Sequence, residues 1–126
     1  MALQVELVSP ERILWSGEAD MVVARTSEGD IAFLTGHSPF IGALGIGAVT
    51  IRSTSGADTR VAVHGGFVEV SGDRVTILSD VAELAEDIDR ARAERALDEA
   101  QRRERDGDAE AEAALRRARL RVELAA

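Results

Sequence analysis

The stretch that decides the fold is VAVHGGFVEVSGDRVTIL, residues 61–78. It holds three short apolar runs, and glycine-containing sequences separate them: 61–63, 67–70 and 75–78. In the second run Val68 and Val70 flank Glu69, an alternation with a period of two that is typical of a strand with one buried face. The stretch therefore predicts three strands joined by tight connections.

The same pattern extends back to the N-terminus. Six further apolar runs precede residue 61, with turn sequences such as 27–30 and 55–58 between them: 3–7, 13–15, 21–24, 31–34, 41–44 and 48–51. Many short strands with turns every ~8–12 residues indicate an all-β sandwich or barrel. We therefore predict a mainly β N-terminal sandwich domain over residues 1–84.

From about residue 85 the composition changes to Ala, Glu, Arg and Leu, which are good helix formers. The single glycine of this part, Gly107, divides it into two helices that we predict at 88–105 and 109–124. Asp108 is the predicted N-cap of the second helix. Because the connection is short, residues 85–126 are expected to form an α-helical hairpin.

This hairpin is expected to be held weakly. Beyond its alanines it offers few large apolar side chains: Ile88, Leu97, Leu115, Leu120, Val122 and Leu124. Burying one such side chain contributes roughly 1.5–3 kcal/mol, whereas ordering each residue costs about 1 kcal/mol or more of backbone entropy. A weakly held element can adopt two positions, although a fixed helical cap on one sheet fits the sequence equally well.

Composition excludes several classes of partner and location. The 126-residue chain has a net charge of −8, which argues against nucleic acid and against direct lipid binding, because both kinds of binding use clustered cations. No stretch approaches the ~18 apolar residues of a membrane span. The N-terminus lacks the pattern of a signal peptide, so the default expectation is a cytoplasmic location.

No group of residues points to catalysis. The chain contains neither cysteine nor lysine, which removes two common nucleophiles. His37 and His64 match no metal-ligand spacing, and neither has a nucleophile nearby in the sequence. Gly45 and Gly47 are not followed by the third glycine of a dinucleotide motif. We therefore predict a non-catalytic protein with no metal site and no required cofactor.

One cluster of charges invites a binding interpretation. Asp89 and Arg92 lie one turn apart on the first helix, and Arg117 and Arg121 lie one turn apart on the second. In a closed hairpin, guanidinium groups could bind phosphate oxygens, and the carboxylate could accept a hydrogen bond from an adenine amine or a ribose hydroxyl. Spacing alone favours the simpler alternative, a surface network of ion pairs.

Two stretches resemble the epsilon subunits of bacterial F-type ATP synthases. Residues 29–39, GDIAFLTGHSP, resemble the family segment G-E-x-G-I-L-P-G-H-A-P, and residues 61–70 resemble its V-x-G-G-F-x-E-V strand pair. The resemblance covers essentially the whole chain in order. It implies a sandwich of about ten strands followed by the hairpin, in a non-catalytic rotor subunit on the cytoplasmic side of the cell membrane.

The resemblance also implies partners. Members of this family bind the central-stalk gamma subunit and the ring of c subunits, and they couple that proton-driven ring to the catalytic head. It places one loop near these rotor contacts: Gly36, His37, Ser38 and Pro39. It further implies that the helical hairpin can extend toward the catalytic beta and alpha subunits and there inhibit ATP hydrolysis.

Some bacterial members bind ATP as a regulatory ligand through an I/L-D-x-x-R-A motif. The chain resembles them at seven positions: Glu83, Ile88, Asp89, Arg92, Ala93, Arg117 and Arg121. It departs from them at Glu99, where the nucleotide-binding members carry a further arginine. A carboxylate in place of a phosphate partner weakens binding, so the resemblance leaves ATP binding open.

Two other interpretations fit parts of the sequence. A stand-alone β-sandwich binding module with a helical dimerisation tail would self-associate through residues 85–126. A small enzyme on a β-barrel scaffold would need a nucleophile or a set of metal ligands, and the sequence offers neither in a recognisable pattern.

Overall fold

The computed structural model describes residues 2–26 and 29–125, and within them seven strands precede two helices. The strands are β1 Leu3–Val8, β2 Ile13–Thr26, β3 Gly29–Leu34, β4 Phe40–Ser53, β5 Asp58–Ser71, β6 Arg74–Leu78 and β7 Ala82–Leu84. A short 3-10 turn, Ala85–Asp87, leads to α1 Arg90–Arg105, and α2 follows at Ala111–Leu124. The predicted β-sandwich followed by a helical hairpin is confirmed.

The strands form one sheet that closes on itself. Hydrogen bonding runs in the order β1-β6-β5-β4-β2-β3, with β7 paired to β5, and β1 also pairs with β2. The β1–β6 pair is parallel and the other pairs are antiparallel. Because β1 bridges β6 and β2, the sheet folds into two layers around a single core of mostly aliphatic side chains, in which Phe33 is also buried.

The long strand β5 passes from one layer to the other. Val61 and Val63 face the core before the Gly65–Gly66 pair, and Val68 and Val70 face it afterwards. This change from odd to even positions means that the strand turns its other face inward. Gly65 and Gly66 have φ values of 95° and 137°, which side chains with a Cβ rarely adopt. The double glycine therefore bends the strand without changing its register with β4.

The expected count of about ten strands is wrong. Three pairs of predicted runs are single 14-residue strands, because the chain bends within the sheet instead of leaving it: 13–15 with 21–24, 41–44 with 48–51, and 61–63 with 67–70. The three-residue strand β7 was not predicted, since it carries no alternation to detect. The turn predicted at 27–30 lies partly outside the described residues.

The hairpin folds back on the sandwich. The two helices pack against each other. Four of their buried residues are alanines and one is a leucine: Ala93, Ala100, Ala111, Ala118 and Leu115. Helix α2 lies against β4 and β5. There Leu120 and Leu124 cover Ala62, whose side chain faces outward from β5, and Ile46, Ala48, Ala85 and Ile88 flank this contact. Residues that the sequence pattern assigned to a weakly packed tail thus bury only a small apolar cluster against the sheet.

Both predicted helix starts need correction. Helix α1 begins at Arg90 and not at residue 88, because Asp89 is its N-cap and accepts a hydrogen bond from the Arg92 backbone N–H at 3.1 Å. Helix α2 begins at Ala111, and Asp108 is not its N-cap. The Asp108 carboxylate instead accepts from the backbone N–H of Glu110 at 2.9 Å, which closes a separate turn before the helix.

Candidate functional site: the cleft between the hairpin and the sandwich

Six of the seven residues predicted for a nucleotide site line one cleft. They are Glu83, Ile88, Asp89, Arg92, Ala93 and Arg121, with Asp87 and Ala96 completing the wall. The cleft lies between the start of α1, the end of α2 and the segment that joins β7 to α1. Its volume of about 240 Å³ is below the ~300–1,000 Å³ of typical ligand pockets, so a nucleotide would have to widen it. Arg117 does not line this cleft.

Glu83 is the centre of the polar contacts at this site. Its Oε1 atom accepts a hydrogen bond from Nε2 of His64 at 3.1 Å and another from Nε of Arg121 at 2.5 Å. His64 belongs to β5, Glu83 to β7 and Arg121 to α2. One carboxylate oxygen therefore connects two strands of the sandwich to the second helix of the hairpin.

The charges around Glu83 keep it ionised. Burial by itself raises the pKa of Glu83, but the hydrogen bond and positive charge of Arg121, helped by the His64 hydrogen bond, hold that pKa below its ordinary value. The carboxylate is consequently charged at neutral pH and is paired with Arg121. A nucleotide that recruited Arg121 for its phosphates would have to separate this pair.

His64 stands in the opposite situation. Burial lowers the pKa of His64, and the charges of Arg121 and Arg117 lower it further, which together outweigh the raising effect of its hydrogen bond to Glu83. The imidazole is therefore neutral at pH 7. Because Nε2 faces the carboxylate, we assign the proton to Nε2, and Nδ1 keeps a free lone pair. Among the described residues this buried Nδ1 has no hydrogen-bond partner.

The start of α1 offers two groups to a ligand. Asp89 uses Oδ1 to cap the helix, so its second carboxylate oxygen is the one free to accept a ligand hydrogen bond. The Arg92 side chain is exposed and forms no ion pair within the described part of the chain. Neighbouring Arg90 is engaged, because it pairs with Glu94 at 3.0 Å and donates to the Ala125 carbonyl at 3.2 Å.

Glu99, the departure from the ATP-binding pattern, lies outside this cleft. Seven residues of helix separate it from Arg92, a distance of about 10 Å along the axis. It lines a different surface depression together with arginines of α1, among them Arg95 and Arg102. In this arrangement its carboxylate does not face the cleft.

The predicted rotor loop is separate from the cleft. Its four residues, Gly36, His37, Ser38 and Pro39, connect β3 to β4. The His37 ring packs edge-on against Phe33 at 5.0 Å between centroids, and Nδ1 donates to the Ser38 carbonyl at 2.6 Å. The His37 ring thus orders the loop. Among the described residues there is no group of three or more side chains that could hold a metal ion.

A second surface feature is an apolar row on the layer that the hairpin leaves uncovered. Direct cross-strand partners put its members side by side across five strands: Ile13, Val8, Leu78, Phe67 and Ala43. Ile13, Phe67 and Leu78 are 59%, 57% and 45% exposed. We call this set the outer apolar row. Contiguous exposed apolar side chains of this kind mark protein-binding surfaces.

Sequence reasoning missed the role of His64. The pattern placed it at the end of a strand, whereas in the structure its side chain is buried and bonded to Glu83, which also binds Arg121 of α2. One signal was available: Ala62 and His64 share a strand face, and two small or polar residues on one face of an otherwise aliphatic strand indicate a surface that another element covers. Its partner Glu83 could not be found this way, because strand β7 was not predicted.

Comparisons with known proteins agree with this architecture. Residues 2–85 match the family model described as ATP synthase, Delta/Epsilon chain, beta-sandwich domain. The chain is 49% identical over 124 residues to the ATP synthase epsilon chain of Streptomyces griseus, covering 98% of this chain and 95% of that one. It is 50% identical to the epsilon chain of Thermobifida fusca, with 98% and 91% covered.

Solved structures share the fold. A chain of the Euglena gracilis mitochondrial ATP synthase superposes with a TM-score of 0.86 at 23% identity, covering 97% of this chain and 79% of that one. A chain from the central stalk and c-ring of the Tetrahymena thermophila enzyme gives a TM-score of 0.58 at 20% identity, with 74% and 70% covered. No helix in the described ranges has the length and apolar content needed to cross a membrane.

Proposed function

The chain belongs to the family of ATP synthase delta and epsilon chains, and we propose that in the rotor stalk of that enzyme it restrains ATP hydrolysis through its helical hairpin. The observation that carries the stalk assignment is the identity of 49% over 98% of the chain and 95% of an epsilon chain. We further propose that the chain itself is non-catalytic. As an ATP synthase subunit it associates with the membrane-bound complex, and we assign it to the cytoplasmic side.

The sandwich, residues 1–84, is proposed to bind the gamma subunit through the outer apolar row. This surface lies on the layer opposite the hairpin, so both can be occupied at once. A subunit that turns with the stalk needs a permanent contact, and a continuous apolar row gives one without charge pairs that salt would screen. The loop of residues 36–39 is proposed to meet the c-subunit ring.

Phe67→Glu tests the proposed contact with gamma. Phe67 is exposed on the outer apolar row and does not contribute to the core, so the sandwich should fold while the row acquires a charge. We expect the variant chain to be lost from the purified synthase. Thr54→Glu, an exposed position in the turn between β4 and β5, is the control and should copurify normally. Normal copurification of both variants would exclude this surface as the stalk contact.

The hairpin is proposed to leave the sandwich and extend toward the catalytic beta and alpha subunits. What supports this is the small contact that holds it. Leu120 and Leu124 each contribute roughly 1.5–3 kcal/mol by burial, and a partly exposed ion pair such as Glu83–Arg121 adds about 1 kcal/mol or less. Contacts of this size, reduced by the entropy of docking, give an equilibrium that binding to another subunit can shift.

ATP is proposed as the ligand of the cleft between the hairpin and the sandwich. In this proposal Arg92 binds phosphate oxygens and the free oxygen of Asp89 accepts a hydrogen bond from the nucleoside, while both helices and β7 are held together. A ligand that bridges them would stabilise the docked hairpin by mass action. Arg117 does not line the cleft, so the site would have one cation fewer than the seven-residue pattern implied.

Titration calorimetry on the full-length chain tests ATP binding. We expect a heat signal in the parent chain and its loss in Arg92→Ala, because the exposed guanidinium lines the cleft. Arg95→Ala is the matched control: it removes the same side chain from the same helix at a position that lines a different depression. A parent chain that gives no heat, or equal loss in both variants, would exclude ATP as the ligand of this cleft.

A further inference from the structure

A change in the charge of His64 would alter its electrostatic interaction with the arginines of α2. Its side chain is 2% exposed, although the residue lies on the outer face of β5 beside Ala62 and not in the core of the sandwich. The hairpin lies against this part of β5: Leu120 and Leu124 pack on Ala62, and Arg121 binds the carboxylate oxygen that His64 contacts. Its Nε2 atom is bonded to Glu83, and its Nδ1 atom is buried and unpartnered among the described residues. The imidazole can therefore accept a proton at Nδ1. Among the described residues no hydrogen-bond acceptor is in place for the N–H that this proton would form.

The charges that face His64 come from two elements. Glu83 on β7 supplies one negative charge, and Arg121 and Arg117 on α2 supply two positive charges. In the docked hairpin Arg121 already neutralises Glu83 through the same oxygen that His64 contacts. A proton on Nδ1 would therefore add a positive charge to a buried site. That charge would be attracted by Glu83 and repelled by Arg121 and Arg117.

We propose that His64 is a proton-sensitive release for the hairpin: when Nδ1 takes up a proton, the imidazolium replaces Arg121 as the counterion of Glu83, and α2 leaves the sandwich. The proton comes from solvent, and no covalent bond other than N–H forms. This inference rests on the proposal above that the hairpin detaches. It adds the physical variable to which the detachment responds.

The direction of the pH effect follows from the surroundings of His64 in the two positions of the hairpin. In the docked position burial, Arg121 and Arg117 hold the pKa of His64 below its ordinary value against the raising effect of Glu83. After release, solvent reaches the ring and both arginines leave while Glu83 remains, so the pKa returns to at least its ordinary range near 6.5. A group with the lower pKa in the docked position favours docking only while it is unprotonated.

Docking is accordingly strongest above about pH 7 and weakens as the pH falls through the ordinary pKa of histidine. If the docked form resists protonation throughout this range, the docking equilibrium constant falls by up to about tenfold between pH 7.5 and pH 5.5. Carboxyl groups with ordinary pKa values near 4 stay ionised over the same range, so they do not produce the effect.

Energy transfer within the full-length chain provides the test. The single tryptophan, Trp15, lies on β2 of the sandwich and serves as the donor. The chain has no cysteine, so Arg102→Cys on the exposed side of α1 can carry one acceptor. We expect transfer to fall reversibly from pH 7.5 to pH 5.5. His64→Gln keeps an N–H donor for Glu83 but does not titrate, so energy transfer in this variant should not change with pH. The variant retains His37, so a constant transfer would also show that His37 does not cause the effect.

A release control separates this inference from the proposal on which it rests. Leu120→Ala combined with Leu124→Ala removes the apolar contact without changing a charge, and it should lower transfer at every pH. If that variant releases the hairpin but the parent chain shows no pH dependence, or His64→Gln follows the parent, the role of His64 is wrong. If the double variant also leaves transfer unchanged, the hairpin does not detach and the proposed function itself fails.

Imidazole NMR supplies a second measurement that does not depend on how well His64→Gln folds. With only two histidines in the chain, each ring signal can be followed separately. We expect the His64 signal to titrate below pH 6.5 in the parent chain and at a higher pH in the Leu120→Ala, Leu124→Ala variant. An identical midpoint in both chains would overturn the proposal.

Discussion

Truncation of one leucine on α2 should shift the hairpin between its two positions by a calculable amount. Leu124 is 4% exposed and covers Ala62 on the outer face of β5, so its burial belongs to docking and not to the core of the sandwich. Leu124→Ala removes three buried carbon atoms. At ~0.8 kcal/mol for each, the docked position loses about 2.4 kcal/mol, which is about 60-fold in the docking equilibrium.

The assay is energy transfer from Trp15 to an acceptor on α1, followed through a urea titration, while far-ultraviolet circular dichroism reports on the strands. We expect Leu124→Ala to release the hairpin at a lower urea concentration and to leave the unfolding of the sandwich nearly unchanged. Leu34→Ala is the matched control, since it makes the same truncation at a side chain that is 52% exposed on β3. There the effect should stay within about 0.5 kcal/mol.

Equal behaviour of the two variants would refute the reasoning, because it would mean that the contact between α2 and the sheet contributes nothing to docking. A parallel loss of sandwich stability in Leu124→Ala would refute it in another way. It would show that hairpin and sandwich unfold as one cooperative unit, which is incompatible with a hairpin that detaches while the sandwich stays folded.

Two further predictions concern local structure. Asp89→Ala removes the N-cap of α1 and should cost about 1 kcal/mol of hairpin stability, whereas Asp89→Asn should keep most of the capping contribution. The measurement is helix content during thermal unfolding. Equal loss in both variants would contradict the capping role. Gly66→Ala should destabilise the sandwich by several kcal/mol, because a Cβ there would lie 2.1 Å from the Leu78 carbonyl oxygen. Gly56→Ala has open space around the new Cβ and should cost about 1 kcal/mol. Both free energies are measured by chemical denaturation. Similar losses at the two glycines would contradict the close approach.

Local patterns were sufficient for the main divisions of the fold. The alternation around Glu69 and the turn sequence before β6 predicted β5 and β6, and the alanine-, glutamate- and arginine-rich composition after residue 85 predicted two helices. These signals depend only on neighbours in sequence, so they can be interpreted without knowledge of the tertiary structure. The strand count failed for the converse reason. Whether a glycine pair ends a strand or bends it depends on whether the partner strand continues opposite it, as β4 does opposite Gly65 and Gly66.

The lining of the candidate site was largely predictable, including the uncharged Ile88 and Ala93, but the role of His64 was not. The spacing of Asp89, Arg92 and Arg121 suggested convergence, and the structure brings them to one cleft together with Glu83. The contribution of His64 was missed although its strand face, shared with Ala62, signalled a covered surface, because the sequence does not show that Glu83 and α2, far along the chain, meet it there. The same applies to Arg117. Its helical spacing from Arg121 suggested a shared ligand, but Arg117 does not line the cleft.

The proposed restraint of ATP hydrolysis by the hairpin can be measured as the hydrolysis rate of purified synthase that carries a chain lacking residues 86–126. Equal amounts of full-length or shortened chain in the two preparations would first establish that the sandwich alone is retained. We expect a higher rate of ATP hydrolysis in the complex with the shortened chain. An unchanged rate in a complex that retains the shortened chain would contradict it.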